Sequence, residues 1–390
     1  MKIMHTGDWH IGKVVNEFHM TEDQEFVLNE IIDMIKEEKP DVLVIAGDLY
    51  DRSVAPVEAV ELLDRVFNKI LIELGTPIIA VAGNHDSPER LSFGSEILKS
   101  RGLYIEGILK KDVRKVVLKD EYGPVNFYLV PYADPAVVRD IFKNDNIKNH
   151  DDAMKAIIEV INRKIDLNER NVLVTHGFVR GEGEAELSDS ERPLSIGGTD
   201  CVNVKYFEEF NYTALGHLHG PQKVTCEKIR YSGSIMKYSF SEVRQKKSVT
   251  IVNIDEHGNA DISLKYLHPK KDMRIIKGEI NNLLDPEIYK HADTEDYISA
   301  ILTDEGEIMD PVSRLRAVYP NIMLISRESR MNRNEEAITS AGSGFQKKSK
   351  LELFKDFYEN ITGREFTEQK LQILSQVIEE TEKSERSYEL

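Results

Sequence analysis

Cysteine is almost absent: Cys201 and Cys226 are the only two in 390 residues. They allow no disulfide framework and match no zinc-ligand spacing, which fits a reducing compartment such as the cytoplasm. No stretch approaches the roughly 18 consecutive apolar residues of a membrane helix. The chain enters an apolar strand pattern at once, without the opening of a signal peptide, so none is expected. Positive charge is also scarce, 51 Lys and Arg against 68 Asp and Glu, for a net charge of −17. Nucleic acids are held chiefly through their phosphates, by Lys and Arg. The deficit argues against a freestanding nucleic-acid binder. Action on such a substrate would need metal ions, local basic patches or a partner that supplies affinity.

Hydrophobic residues make up 41%, enough for a packed core, in a length that suggests two or three domains. Residues 41–46 form a short apolar run between Pro40 and Gly47. That is the pattern of a strand buried on both faces. Gly47 lets the backbone turn sharply. Asp48 and Asp51 follow at the strand's carboxyl end, where open α/β sheets place ligands. Alone, this segment also fits a turn with a capping aspartate, but the pattern recurs. Residues 2–6 lead to Asp8 and His10, 77–82 to Asn84, His85 and Asp86, 171–175 to His176, and 212–215 to His217 and His219. Any one of these could be structural; together they predict a single metal site. Carboxylate, amide and imidazole donors without a thiolate suit manganese or iron better than a closed zinc site. Two such ions bridged by a carboxylate can activate water and clamp a phosphate.

Helices are expected at about 22–39 and 56–74, between the first three strands. Thr21 and Gln24 read as a capping box for the first, with Phe26, Leu28, Ile31, Ile32 and Ile35 on its apolar face. Strand and helix in alternation give a parallel βαβαβ unit with right-handed crossovers. Alternation from 104 to 131 predicts antiparallel strands of a second sheet, which 224–229, 248–254 and 262–267 should complete. A helix is expected over 150–166. Residues 179–199 should form a long loop, either a solvated connection or a substrate-facing one. The fold class is therefore α/β with α+β elements. Two packed sheets flanked by helices span 1–269, a small α+β domain 270–330, a linker 331–349, and two amphipathic helices 350–390. Leu351, Phe354, Phe357, Tyr358 and Ile361 share one apolar face, and Leu371, Leu374 and Ile378 continue it. Short helices cannot bury such faces alone, so they pack back on the body or dock on a partner.

Asp8-x-His10, Gly47-Asp48-x-x-Asp51, Gly83-Asn84-His85-Asp86, His176 and Gly216-His217-x-His219 together resemble the motif set of calcineurin-like metallophosphoesterases. The flanking stretches narrow the resemblance. Asp8-Trp9-His10-Ile11-Gly12-Lys13, the run from Gly83 to Leu91, Ser188-Asp189-Ser190-Glu191-Arg192-Pro193-Leu194 and Tyr231-Ser232-Gly233-Ser234 resemble the SbcD family of nuclease subunits. These are bacterial relatives of the double-strand-break repair nuclease. Gly7, where Ala is common, and Ile235-Met236, where Pro-Leu is usual, depart from the pattern without touching a proposed ligand.

The resemblance implies a metallophosphoesterase sandwich, a capping domain at 270–330, and a cofactor of two divalent metal ions, most readily Mn2+. One ion would be held by Asp8, His10, Asp48 and His219, the other by Asp48, Asn84, His176 and His217. His85 would serve the leaving oxygen or the phosphate charge. Asp51 would orient His85, and Asp86 and Arg90 would support the ligands from behind. The implied activity is a 3′-to-5′ exonuclease on double-stranded DNA and an endonuclease on single strands and hairpins, in DNA repair and recombination. The implied partners are DNA, a second copy in a homodimer, and an SbcC-type ATPase in a heterotetramer, reached through the C-terminal helices. The ligand set leaves another reading open: a phosphatase or phosphodiesterase for small molecules or phosphoproteins. Asp51-Arg52 echoes protein phosphatases.

Overall fold

A computed structural model describes residues 1–181, 185–191 and 201–328, and in addition residues 354, 355, 358, 366, 367, 370, 371 and 374. The chain divides into two compact units. The first takes in Met1–Ile276, Asn281–Ala300 and Asp310–Ile325; the second takes in Lys277–Ile280, Ile301–Met309 and the described residues from Ser326 on.

The first unit is a two-sheet sandwich. One sheet contains β1 (Lys2–Thr6), β2 (Val42–Ile45), β3 (Ile78–Val81) and β4 (Leu103–Glu106). The other contains β5 (Arg114–Asp120), β6 (Gly123–Val130), β7 (Arg170–His176), β8 (Tyr212–Gly216), β9 (Gln222–Val224) and β10 (Cys226–Tyr231). β11 (Ser248–Ile254) and β12 (Ala260–Tyr266) return to the first sheet, giving the orders β12-β11-β1-β2-β3-β4 and β9-β10-β8-β7-β6-β5. β1 to β4 are parallel, as are β6, β7, β8 and β10. Between the sheets lies an apolar layer that includes Ile3, Val44, Val81, Phe127, Val172 and Tyr212. Helices α1 (Thr21–Glu38) and α2 (Val57–Asn68) cover the first sheet, and α3 (His150–Asn162) covers the second. Burying each large aliphatic side chain in these layers contributes about 1.5–3 kcal/mol. The layers hold the carboxyl ends of β1, β2, β3, β7 and β8 at one place.

Several expectations are corrected. Residues 248–254 and 260–266 join the first sheet, because β1 has a free edge that β11 pairs antiparallel, Ile3 opposite Val252. Tyr104 lies on β4, the fourth parallel strand, and only β5 and β6 form the antiparallel pair expected after it. The capping box does not form: Met20 is the N-cap of α1, without a side-chain cap. Gln24 is drawn inward instead, and its amide holds the loop after β1. Phe26 is exposed while Val27 is buried, so the helix face is rotated from the expected one. α2 ends at Asn68 and gives way to a wider turn over Lys69–Glu73.

In the region expected as a small domain, β13 (Met273–Gly278), β14 (Tyr297–Leu302) and β15 (Ile322–Arg327) form a three-stranded sheet in that order. Tyr297 donates its hydroxyl to Asp23 of α1 at 2.6 Å. In the second unit, Thr303 N donates to Gly278 O and Ile280 N to the Asp304 carboxylate. There also the rings of Phe354 and Tyr358 stand 6.2 and 5.2 Å from that of Phe366. The expected linker at 331–349, and Leu351, Phe357, Ile361 and Ile378 of the apolar stripe, lie outside the described residues, as do 182–184 and 192–200 of the expected long loop. Among the described residues, no helix is long and apolar enough to cross a membrane.

Candidate metal centre

The loops after β1, β2 and β8 are built from backbone that L-residues rarely adopt. Asp8, His10, Asp48 and His217 all have positive φ, at 51°, 46°, 50° and 117°. Such conformations cost of order 1–3 kcal/mol each and persist where the surroundings impose them, typically at functional sites. The surroundings here are other loops: Asp8 N donates to Gly47 O, and His10 N to Asp48 O. Gln24 completes this frame, accepting from Gly12 N at 3.0 Å and donating to the carbonyls of Trp9 and His10 at 3.2 and 2.8 Å.

Seven predicted side chains meet in the space so framed. His10 Nε2 lies 3.1 Å from His219 Nε2 and 3.6 Å from the Asp48 carboxylate. His176 Nε2 lies 3.5 Å from the same carboxylate and 2.9 Å from Asn84 Oδ1, which also stands 3.3 Å from His217 Nδ1. The Asp8 carboxylate is 3.8 Å from His176 Nδ1 and accepts from His217 N at 2.9 Å. Close approach requires the absence of side chains at three glycines. A Cβ on Gly83 would fall 2.1 Å from Asp48 Oδ1, one on Gly47 2.3 Å from His176 Nδ1, and one on Gly216 1.8 Å from Ala46 O.

The donors fit divalent ions. Asp8, Asp48, His10, His176, His217 and His219 are all buried. Burial, and then the neighbouring Asp48 charge, pushes the Asp8 carboxyl well above the usual carboxylate range. Burial holds His10, His176, His217 and His219 below the usual imidazole range, as neutral rings with a lone pair to give. A buried carboxyl that resists ionising, as that of Asp8 does, among neutral imidazoles, is relieved by a bound cation. His176 Nδ1 is committed to Ala46 O at 2.8 Å, which leaves Nε2 as the nitrogen that could take an ion. His10 Nδ1 is buried without a hydrogen-bond partner. Two tight groups of possible ligands stand side by side, Asp8 with Asp48 and His176, and His10 with Asp51 and His85.

Residues 1–221 match the family described as calcineurin-like phosphoesterase. The chain belongs to that family. It is thus a metal-dependent phosphoesterase, a hydrolase whose family uses divalent metals. Residues 269–362 match a second family, described as the type 5 capsule protein repressor C-terminal domain and labelled as the SbcD C-terminal domain. Among solved structures, a dimetal phosphatase from Danio rerio aligns at 12% identity with a TM-score of 0.39, over 68% of this chain and 96% of its own. A protein of Thermus thermophilus aligns at 11% identity with a TM-score of 0.37, over 67% and 98%.

The remaining predicted residues of the phosphoesterase fall in different places. The ring of His85 stands edge-on to that of His10, centroids 4.7 Å apart. The backbone N–H of His85 donates to Asp48 Oδ1 at 2.9 Å, and its ring Nδ1 faces the backbone carbonyl of Asp51 at 2.8 Å. Asp51 thus orients His85 through its main chain and not through its carboxylate, which receives Lys13 Nζ at 2.7 Å. Asp86 lies behind the cluster. Its buried carboxylate accepts from Leu49 N, Tyr50 N and Gly83 N at 3.2, 3.0 and 2.9 Å, tying the Asp48 loop to the Asn84 loop. Burial and Asp48 push its carboxyl up to about 7. Arg90 does not reach the ligands: it is exposed on the short helix Pro88–Ser92 and lines an apolar groove. Sequence reasoning missed Gln24, Lys13 and Glu242. Glu242 is fully buried, 3.2 Å from His219 Nδ1, and stands in none of the recognised motifs.

Proposed function

We propose that this phosphoesterase is a DNA nuclease subunit of the SbcD type, acting with an SbcC-type ATPase on DNA ends and hairpins. The observation that carries the reading is the pairing, in one chain, of the seven-residue cluster with a C-terminal segment that matches the SbcD C-terminal domain. Asp8, His10, Asp48 and His219 would hold one ion, and Asp48, Asn84, His176 and His217 the other, with manganese the best match to the donors. When bound, the ions supply Lewis acidity toward a phosphate oxygen and lower the pKa of water.

The chain's own residues do the rest. Asp48 and Asp86 fix the two loops that frame the phosphate. His85 is half-buried, with Nδ1–H donating to the Asp51 carbonyl, so Nε2 is the nitrogen turned to substrate, with a lone pair in the neutral ring and a proton to give only in the imidazolium. The imidazolium can give that proton to the departing sugar oxygen. Trp9 and Tyr238 close the floor against water, Tyr238 donating to Trp9 O. The net charge of −17 calls for a partner that supplies affinity for the duplex. The apolar residues that the sequence sets at helical spacing from Leu351 to Ile378 are proposed to dock the ATPase, in an assembly with two nuclease subunits. Residues 270–330 are proposed as the domain that shapes access for DNA.

The test is digestion of end-labelled linear duplex with manganese, by the protein alone and with an SbcC-type ATPase and ATP. Shortening from the 3′ ends, made processive by the ATPase, supports the reading. Hydrolysis of small phosphomonoesters with no attack on DNA under either condition would replace it with the phosphatase reading.

A further inference from the structure

His219 is surrounded by a buried polar assembly larger than metal ligation needs. Glu242 Oε1 accepts from Ser188 Oγ at 2.6 Å and from Ser190 Oγ, and faces His219 Nδ1 at 3.2 Å. Its Oε2 accepts from Lys247 Nζ at 2.6 Å. Lys247 is buried as well, and its ammonium also reaches His219 O, Ser234 Oγ and Gln245 Oε1 at 2.8, 2.9 and 2.8 Å. The loop closes on the same histidine from its other side, where Glu191 accepts from His219 N and Ser188 N at 2.8 and 3.0 Å. Ser190 Oγ lies 2.6 Å from His219 Nδ1.

Stability alone does not explain this arrangement. A buried ion pair recovers little more than its desolvation cost, and an apolar pair of the same size serves a core at least as well. What the pair provides is geometry. A carboxylate anchored by its own buried counter-ion holds one oxygen against His219 Nδ1 and the two serine hydroxyls at once. With Nδ1 engaged, Nε2 is the nitrogen left to face His10, whose own Nε2 lies 3.1 Å away.

We propose that Glu242 is a positioning residue that couples the seating of residues 185–191 to metal holding by His219. This rests on the reading of His219 as a ligand. A cation on Nε2 makes the Nδ1 proton a stronger donor to Glu242 and Ser190, so loading tightens the loop. By linkage, a seated loop then tightens the metal by the same factor.

Two variants of the full chain test it. Ser188→Ala with Ser190→Ala removes the loop's hydroxyl contacts to Glu242 and leaves the ion pair whole. Glu242→Gln with Lys247→Met removes both buried charges together, so neither is stranded; should it not fold, the serine pair decides. The measurements are calorimetric manganese titration, hydrogen exchange of residues 185–191 with and without manganese, and the melting transition. In the unaltered protein, manganese should slow exchange across 185–191. In the variants that protection should vanish and the affinity of one site should fall about 10- to 100-fold, with a cooperative melt retained. Unchanged exchange on loading the unaltered protein, or variants with its full affinity, would overturn the coupling. An unaltered protein that takes up no manganese would overturn the metal-centre reading itself, before any variant is made.

Discussion

Gly47→Ala offers a measure of how tightly the cluster is built. Gly47 has φ +93°, and a Cβ there would stand 2.3 Å from His176 Nδ1. The backbone conformation costs about 1–2 kcal/mol for any L-residue. The imidazole must also move, which breaks its 2.8 Å hydrogen bond to Ala46 O, worth about 1 kcal/mol. The sum is about 2–3 kcal/mol, or a fall in melting temperature of roughly 3–5 °C at an unfolding entropy of about 2.1 cal/mol/K per residue over the first unit. Displacing a ligand that has been fixed through its second nitrogen should weaken manganese binding about 10- to 100-fold. Gly75→Ala is the control. Gly75 has φ +68°, but a Cβ there meets nothing within 4 Å, so it should lose about 1–2 kcal/mol and no manganese affinity. The assay is thermal melting and manganese calorimetry on both variants and the parent. If Gly47→Ala melts with Gly75→Ala and binds manganese like the parent, His176 is not held as described.

His85→Gln should lower cleavage by roughly 10²- to 10⁴-fold with metal content unchanged; loss of metal in elemental analysis would place His85 among the ligands. The forked contact of Arg170 with Asp120, at 2.8 and 2.5 Å, holds the Asp120 carboxyl well below the usual range. Because the folded pKa is depressed, this stability is fully present above the unfolded value near about 3.9 and is lost progressively as pH falls from there through the lower folded value. Asp120→Asn should therefore cost about 1.5–3 kcal/mol at pH 7, and urea melts should show the gap to the parent narrowing below about pH 4; a gap independent of pH would refute the assignment. A chain ending near Lys348 should keep its metal-dependent cleavage of simple phosphodiesters and lose co-purification with an SbcC-type ATPase; undiminished capture would move the docking surface elsewhere.

Most of the centre was legible in the sequence because its residues punctuate strands. Asp8, Asp48, Asn84, His176 and His217 each follow an apolar run at a glycine or at the strand's own end, and that order survives folding. Sheet membership was not legible. β11 alternates as a strand of either sheet would, and only the open edge of β1, some 250 residues earlier, decides where it pairs. Gln24 was misread for a similar reason: its spacing from Thr21 suits a local cap, yet its amide is worth more to the buried carbonyls of Trp9 and His10. Glu242 and Lys247 stand in a charged stretch outside every motif, and only the fold brings them to His219.

The most direct test of the metal centre is an anomalous difference map at the manganese edge, from crystals grown with the metal. The account predicts two peaks in the cluster, one against Asp8, His10 and His219, the other against Asn84, His176 and His217, with Asp48 touching both. No peak in the cluster, or one held by other side chains, would contradict it.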